Sequence, residues 1–266
     1  MLWSYQSKIK DWRFIYKLLS CISIFILSIL TIIFSVFIDF WYVNSNKDNF
    51  YISLVWQNFD IMLSFWSSQT IFIVNIWFLW SLIYHQREQF NKFTNIYTQI
   101  NVTIYITITA LIFWLGTLID SISQLNLGLT WFWNLNTLSL SLSFLDHLIS
   151  PLLMIIFLIL TFKKNKFQIN VKKQFTLVVI YPIIYLIYIY IRVAILQINN
   201  VKNFIYPYNI LDFNYSIIAI PLWINRILGG LLIITTIIIT TLFYLAINKF
   251  CYKRITSKEK QINNII

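Results

Sequence analysis

Glycine is nearly absent: Gly116, Gly128, Gly229 and Gly230 are the only four in a chain of 266 residues. A phosphate-cradling loop needs several glycines within a few positions, so nucleotide binding of that kind is excluded. The two cysteines, Cys21 and Cys251, stand near opposite ends and offer neither a disulfide framework nor zinc-ligand spacing. Two histidines, His85 and His147, with only scattered carboxylates around them in sequence, are too few for a usual metal site. No cofactor is therefore expected. Charge is scarce as well, at 11% of residues.

What fills the chain instead is oil. Hydrophobic residues make up 59% and aromatics 19%, and the mean hydropathy is +0.73. A soluble domain of this length is not so apolar. Runs long enough to cross hydrocarbon, about 20 residues each, recur along the chain. They predict six helices at about 17–40, 61–84, 100–121, 141–162, 174–197 and 226–248. The fold class expected is all-α, a single bundle of six transmembrane helices spanning residues 1–266. No alanine precedes Ala110 to form a small-residue cleavage site, so the first run reads as a retained span.

The formal net charge of +11 is distributed in a way that gives orientation. Sixteen Lys and Arg residues fall before span one, after spans two and four, and after span six. Only Lys47, Lys202, Arg192 and Arg226 lie toward the other side. Basic loops stay inside, which predicts both termini in the cytoplasm of a bacterial plasma membrane. The same basic fringe suits anionic headgroups and explains the high pI without nucleic acid. Trp41, Tyr42, Trp56, Trp131, Trp133, Tyr206 and Tyr208 crowd the expected outer interface, where amphipathic rings prefer to lie.

Polar residues are then placed by depth. In span two, Asp60, Ser64, Ser67 and Thr70 are spaced to share one face of a continuous helix. Span four carries Ser143, Asp146, His147 and Ser150, with Pro151 loosening the backbone bonding nearby. His147 is expected at the depth of Ser67; Asp146 points about 100° away and so does not orient it. Span five aligns Tyr181, Tyr185, Tyr188 and Arg192 on another face. Strongly polar groups inside a membrane mark a functional site by default, and these collect in the outer half of the bundle. Gly229-Gly230 suggests a close helix contact, and His85 reads as a solvated interface residue.

The strings DHLISPLL, YPIIYLIYIYIR and YPYNILD resemble the bacterial, mollicute-type six-span relatives of the androgen-induced membrane hydrolases. That family has a His with a nearby Pro in span four, then a Tyr-Pro…Tyr…Arg helix, then an outer Tyr-Pro-Tyr loop followed by Asp. Tyr181, Pro182, Tyr185, Arg192, Tyr206, Pro207, Tyr208 and Asp212 match that order. In span two, Trp66, Gln69 and Trp77 match, while Ser67 stands where Thr is usual and Ile71 where Asn is usual. The similarity covers roughly residues 60–215.

What the resemblance implies is a membrane-embedded lipid-ester hydrolase with Ser67 as nucleophile and His147 as base. A hydroxyl near its free pKa needs such an imidazole to attack an ester. Arg192, Gln69 or a tyrosine hydroxyl would stabilise the oxyanion, and Asp60, Asp120 or Asp212 would orient the ring. Membrane lipids are the expected substrate or ligand. Two alternatives stand beside it: a non-catalytic scaffold or lipid-binding protein, which the Ile at 71 favours, and a proton-coupled carrier using Asp146, His147 and Arg192.

Overall fold

The computed structural model describes residues 11–45, 50–118, 133, 135–162, 169–212, 214 and 221–263, and every regular element among them is helical. Helix α1 (Trp12–Ile32) runs on through a π-helical turn, Ile33–Ile38. Helices α2 (Leu54–Ser64) and α3 (Trp66–Ile83) follow, then a 3-10 turn at His85–Phe90. Helix α4 (Ile96–Leu111) also ends in a π turn, Ile112–Gly116. Then come α5 (Thr137–Phe162), α6 (Val171–Val178), α7 (Ile180–Ile198), a short 3-10 turn at Asn209–Leu211 and α8 (Leu222–Asn263). Six segments are long and apolar enough to cross a membrane: Trp12–Ile38, Trp66–Ile83, Ile96–Gly116, Thr137–Phe162, Val171–Ile198 and Leu222–Ser257. Lys47, Lys163, Lys164, Lys166, Asp120 and Trp131 lie outside the described residues.

The packing inverts the soluble rule. Helix α1 buries Lys17, Ser20, Ile24 and Ser28, while Ile22, Phe25, Ile26 and Ile29 face outward. In hydrocarbon nothing drives Phe inward, whereas small residues let helices approach. Helix α4 is central: 61% of its spanning window is buried, against at most 39% in the other five. It packs on α3, α5, α6 and α8, and α1 closes the bundle against α3 and α5. One apolar cluster joins Trp66, Ile104, Tyr105, Tyr185, Ile189 and Tyr244. A second joins Ile24, Val74, Phe78, Met154 and Phe157.

The continuous helix expected over 61–84 is broken. Phe65 is extended, at φ −71° and ψ 132°, and ends α2 while capping α3. Asp60 and Ser64 therefore belong to one helix and Ser67 and Thr70 to another, so they do not form one face. The break leaves backbone groups without helical partners, which a membrane interior cannot hydrate. Side chains of α3 and α7 supply them. The Tyr185 hydroxyl donates to the Ser64 carbonyl at 3.0 Å. Gln69 Nε2 donates to the Leu63 carbonyl at 2.8 Å, and Gln69 Oε1 accepts from the Tyr181 hydroxyl at 3.1 Å. On the other side of the break, the Trp66 and Ser67 N–H groups turn to the Tyr208 oxygen.

At the N-terminal end of α1, charges form a chain whose middle, Lys17 and His85, is buried. Lys17, with no exposed surface, pairs with Glu88. Its Nζ lies 3.1 Å from His85 Nδ1, and His85 Nε2 lies 3.1 Å from Asp11 Oδ2. An ammonium can only donate, so Nδ1 accepts and Nε2–H donates to Asp11. Asp11 is tied in turn to Arg13 at 2.7 Å. His85 is thus no solvated interface residue; it is buried. Burial, helped by the Lys17 charge, holds its pKa below the ordinary 6.5. Hydrogen bonding from Arg13 holds the Asp11 carboxyl well below its usual range.

Candidate active site

Three backbone irregularities meet around one cavity of about 70 Å³. The break at Phe65 presents Phe65, Trp66, Ser67 and Ser68 to it. The π turns at the ends of α1 and α4 bring Thr31 and Trp41 on one side and Ile112, Phe113 and Thr117 on the other. Helix α5 contributes Ser143, Asp146 and His147, and the loop after α7 contributes Tyr208. Single π turns inside α-helices recur at functional sites. Ser67 and His147 thus line the same cavity.

The local chemistry of α5 decides how His147 is presented. Its Nδ1 lies 2.8 Å from the Ser143 carbonyl oxygen. A carbonyl only accepts, so Nδ1 carries the proton and the Nε2 lone pair remains for work as a base. The ring stacks on Phe113 with centroids 3.9 Å apart and planes 16° apart. The backbone is held as well. Pro151, four residues on, has no N–H to offer the His147 carbonyl. The Trp114 indole N–H, from the π turn of α4, donates to that carbonyl at 3.1 Å.

Ser67 sits in the first turn of α3, whose cap makes no side-chain hydrogen bond. The first N–H groups of a helix point outward without intrahelical acceptors and carry the positive end of its dipole. The Tyr208 oxygen lies against the Ser67 N–H, the Ser67 hydroxyl and the Trp66 N–H. Burial raises that phenol to about 12, with those hydrogen bonds restraining the rise. The indole N–H groups of Trp41 and Trp66 are buried and have no hydrogen-bond partner among the described residues, and both residues line the cavity. Asp146, also buried, accepts among the described residues from Thr31 Oγ1 at 3.4 Å and Ser150 Oγ at 3.5 Å.

The other residues proposed from sequence divide differently. Gln69, Tyr181 and Tyr185 hold the helix break and so support Ser67 from behind. Arg192 is not on the cavity. It donates twice to Asp60 Oδ2, at 3.0 and 2.7 Å, and to the Phe204 and Ile205 carbonyls at 3.2 and 2.7 Å. Its work is to tie α2 and α7 to the loop, where Phe204 sits at a positive φ of 50°. Tyr188, Asp60 and Arg192 line a separate, mostly apolar hollow of about 520 Å³. Tyr206 packs against the first apolar cluster. Asp212 accepts from the Asn214 N–H at 2.8 Å, a local turn, and does not line the cavity. Neither Asp60 nor Asp212 orients His147; a backbone carbonyl does. Gly229 approaches the loop rather than a helix, since a Cβ there would meet Ile210 Cγ1 at 2.9 Å.

Reasoning from sequence missed Thr31, Trp41, Tyr42, Phe113 and Trp114. One signal was present for Trp114: a proline four residues after His147 announces an orphaned carbonyl that needs a donor. Among the described residues, no group of three His, Cys, Asp or Glu side chains could hold a metal ion. Compared with protein-family models, curated proteins and solved structures, the chain matches none.

Proposed function

We propose that the chain is a multi-pass acyl-ester hydrolase of the bacterial plasma membrane, with both termini cytoplasmic and its cavity toward the outer leaflet. The observation that carries this reading is that Ser67 and His147 share one cavity at the uncapped start of a broken helix. In the reaction, Ser67 Oγ attacks the ester carbonyl while His147 Nε2 takes its proton. The oxyanion is met by the Ser68 N–H in the first turn of α3, in a site where such a donor acts strongly. The imidazolium returns its proton to the departing alkoxide, leaving an acyl-serine. Water, deprotonated by His147, releases the carboxylic acid and restores Ser67. The outward oxygen of Tyr208 and the stacked Phe113 position the pair. The resemblance to the androgen-induced membrane hydrolases points to the same two residues, with lipid esters as substrates.

The test is hydrolysis of a long-chain ester by protein purified in detergent. Ser67→Ala is expected to abolish turnover, and His147→Ala to lower it about 10²–10⁴-fold, the usual worth of a general base. Turnover unchanged in Ser67→Ala would remove the proposed nucleophile.

A second reading, a proton-coupled carrier, draws on the break at Phe65 and the buried Asp146 beside it, since carriers build their sites from interrupted helices. Solute flux in vesicles without ester turnover would favour it.

A further inference from the structure

Asp146 is the only carboxylate among the described residues of the cavity wall, and it is 5% exposed. Its two hydroxyl contacts are long, at 3.4 and 3.5 Å. Among the described residues no Lys or Arg pairs with it, and His147, its neighbour in sequence, directs Nδ1–H at Ser143 instead. An ionised carboxylate buried with so little support is costly unless a cation joins it or a proton neutralises it. The remainder of the wall is rich in rings: Trp41, Tyr42, Phe65, Trp66, Phe113 and Tyr208. Aromatic faces around a counter-charge are how proteins hold ammonium groups.

We propose that the cavity binds a small organic ammonium group, with Asp146 as its counter-charge and the aromatic walls as its cage. A hard metal ion asks for about six oxygen ligands, whereas this wall offers ring faces and few oxygens. The volume of about 70 Å³ suits a primary ammonium at the end of a chain rather than a bulky head. The cavity then has two poles: hydrogen-bond donors at the start of α3 for a carbonyl, and the α5 carboxylate for a cation. As a substrate class, this gives an acyl ester that also carries an ammonium group, a step that rests on the hydrolase reading. The binding itself does not.

The experiment is thermal unfolding of the full chain in detergent, titrated with ethylammonium chloride. Sodium chloride at matched ionic strength and ethanol at matched concentration serve as comparisons. A ligand bound only by the folded state raises Tm in a concentration-dependent way. Ethylammonium is expected to raise Tm saturably, and the two comparison solutes to leave it unchanged. Asp146→Asn is expected to weaken the response at least tenfold, and Ser67→Ala to retain it, so loss of hydrolysis and loss of cation binding are read separately. Should Asp146→Asn fail to fold, Phe113→Leu, which removes a ring face and keeps the carboxylate, is expected to weaken the response severalfold. No saturable response in folded wild-type protein, an equal response to sodium, or undiminished binding in these two wall variants would overturn the proposal.

Discussion

The Trp114 indole donates to the His147 carbonyl, the acceptor that Pro151 leaves without a helical N–H. Two substitutions therefore act through one hydrogen bond. Trp114→Phe removes the donor and leaves a carbonyl unpaired where no water replaces it, at a cost of about 1–3 kcal/mol. Adding Pro151→Ala returns an N–H at the i+4 position and is expected to recover most of that loss. Thermal melts of the two single variants and the double variant in detergent form the cycle. Additive losses would show that the indole and the proline act independently.

The break in the second crossing makes a matching prediction. Tyr185→Phe keeps the ring in its packing but takes the hydroxyl from the Ser64 carbonyl. Stability is expected to fall by about 1–3 kcal/mol, with ester turnover falling too because Ser67 stands three residues from the freed carbonyl. Tyr190→Phe, whose hydroxyl reaches the Leu211 carbonyl at a long 3.4 Å, is expected to change turnover far less. Equal effects from both tyrosines would argue that the break does not position the serine.

Stability should also depend on pH through the charged chain at the start of α1. His85 resists its proton in the fold because it is buried and faces Lys17, so its folded pKa lies below the ordinary 6.5. As pH falls through about 6.5 the unfolded chain takes up a proton that the folded chain refuses, and stability drops. Asp11 adds in the same direction at lower pH: Arg13 depresses its folded pKa, so stability is lost again as pH falls below its ordinary 3.8. Wild-type Tm is expected to decline between pH 7 and 5. His85→Gln, which cannot charge, is expected to flatten that decline, as read by melts across the range. An unchanged slope in His85→Gln would place the sensitivity elsewhere.

The six long apolar helices were legible because such helices announce themselves by length and oil alone; TWFWNLN and the lysine clusters punctuate them. Counting residues along two helices placed Ser67 and His147 at one level, and both line one cavity. The break at Phe65 was hidden, since FWSS contains neither glycine nor proline. It persists because Gln69, in the next turn, and Tyr185, Tyr181 and Tyr208, from elsewhere in the chain, hold it, and no local rule foretells the distant partners. The tyrosine ladder and Arg192 were visible as a stripe, but a stripe does not say what it faces. Here the tyrosines face an interrupted backbone, and the arginine faces Asp60. Lys17 and His85 looked like members of the basic fringe because charge near a helix end is usually solvated. The packing of α1 against α3 and the turn at His85–Phe90 buries them instead.

If Ser67 is a nucleophile activated within the cavity it shares with His147, its neighbour Ser68 is the natural control. Reaction of the folded protein with a fluorophosphonate, followed by peptide mass spectrometry, reads which hydroxyl becomes covalently modified. The adduct is expected on Ser67, lost in Ser67→Ala, retained in Ser68→Ala and slowed in His147→Ala. Modification of Ser68 alone, or no modification of well-folded protein, would contradict it.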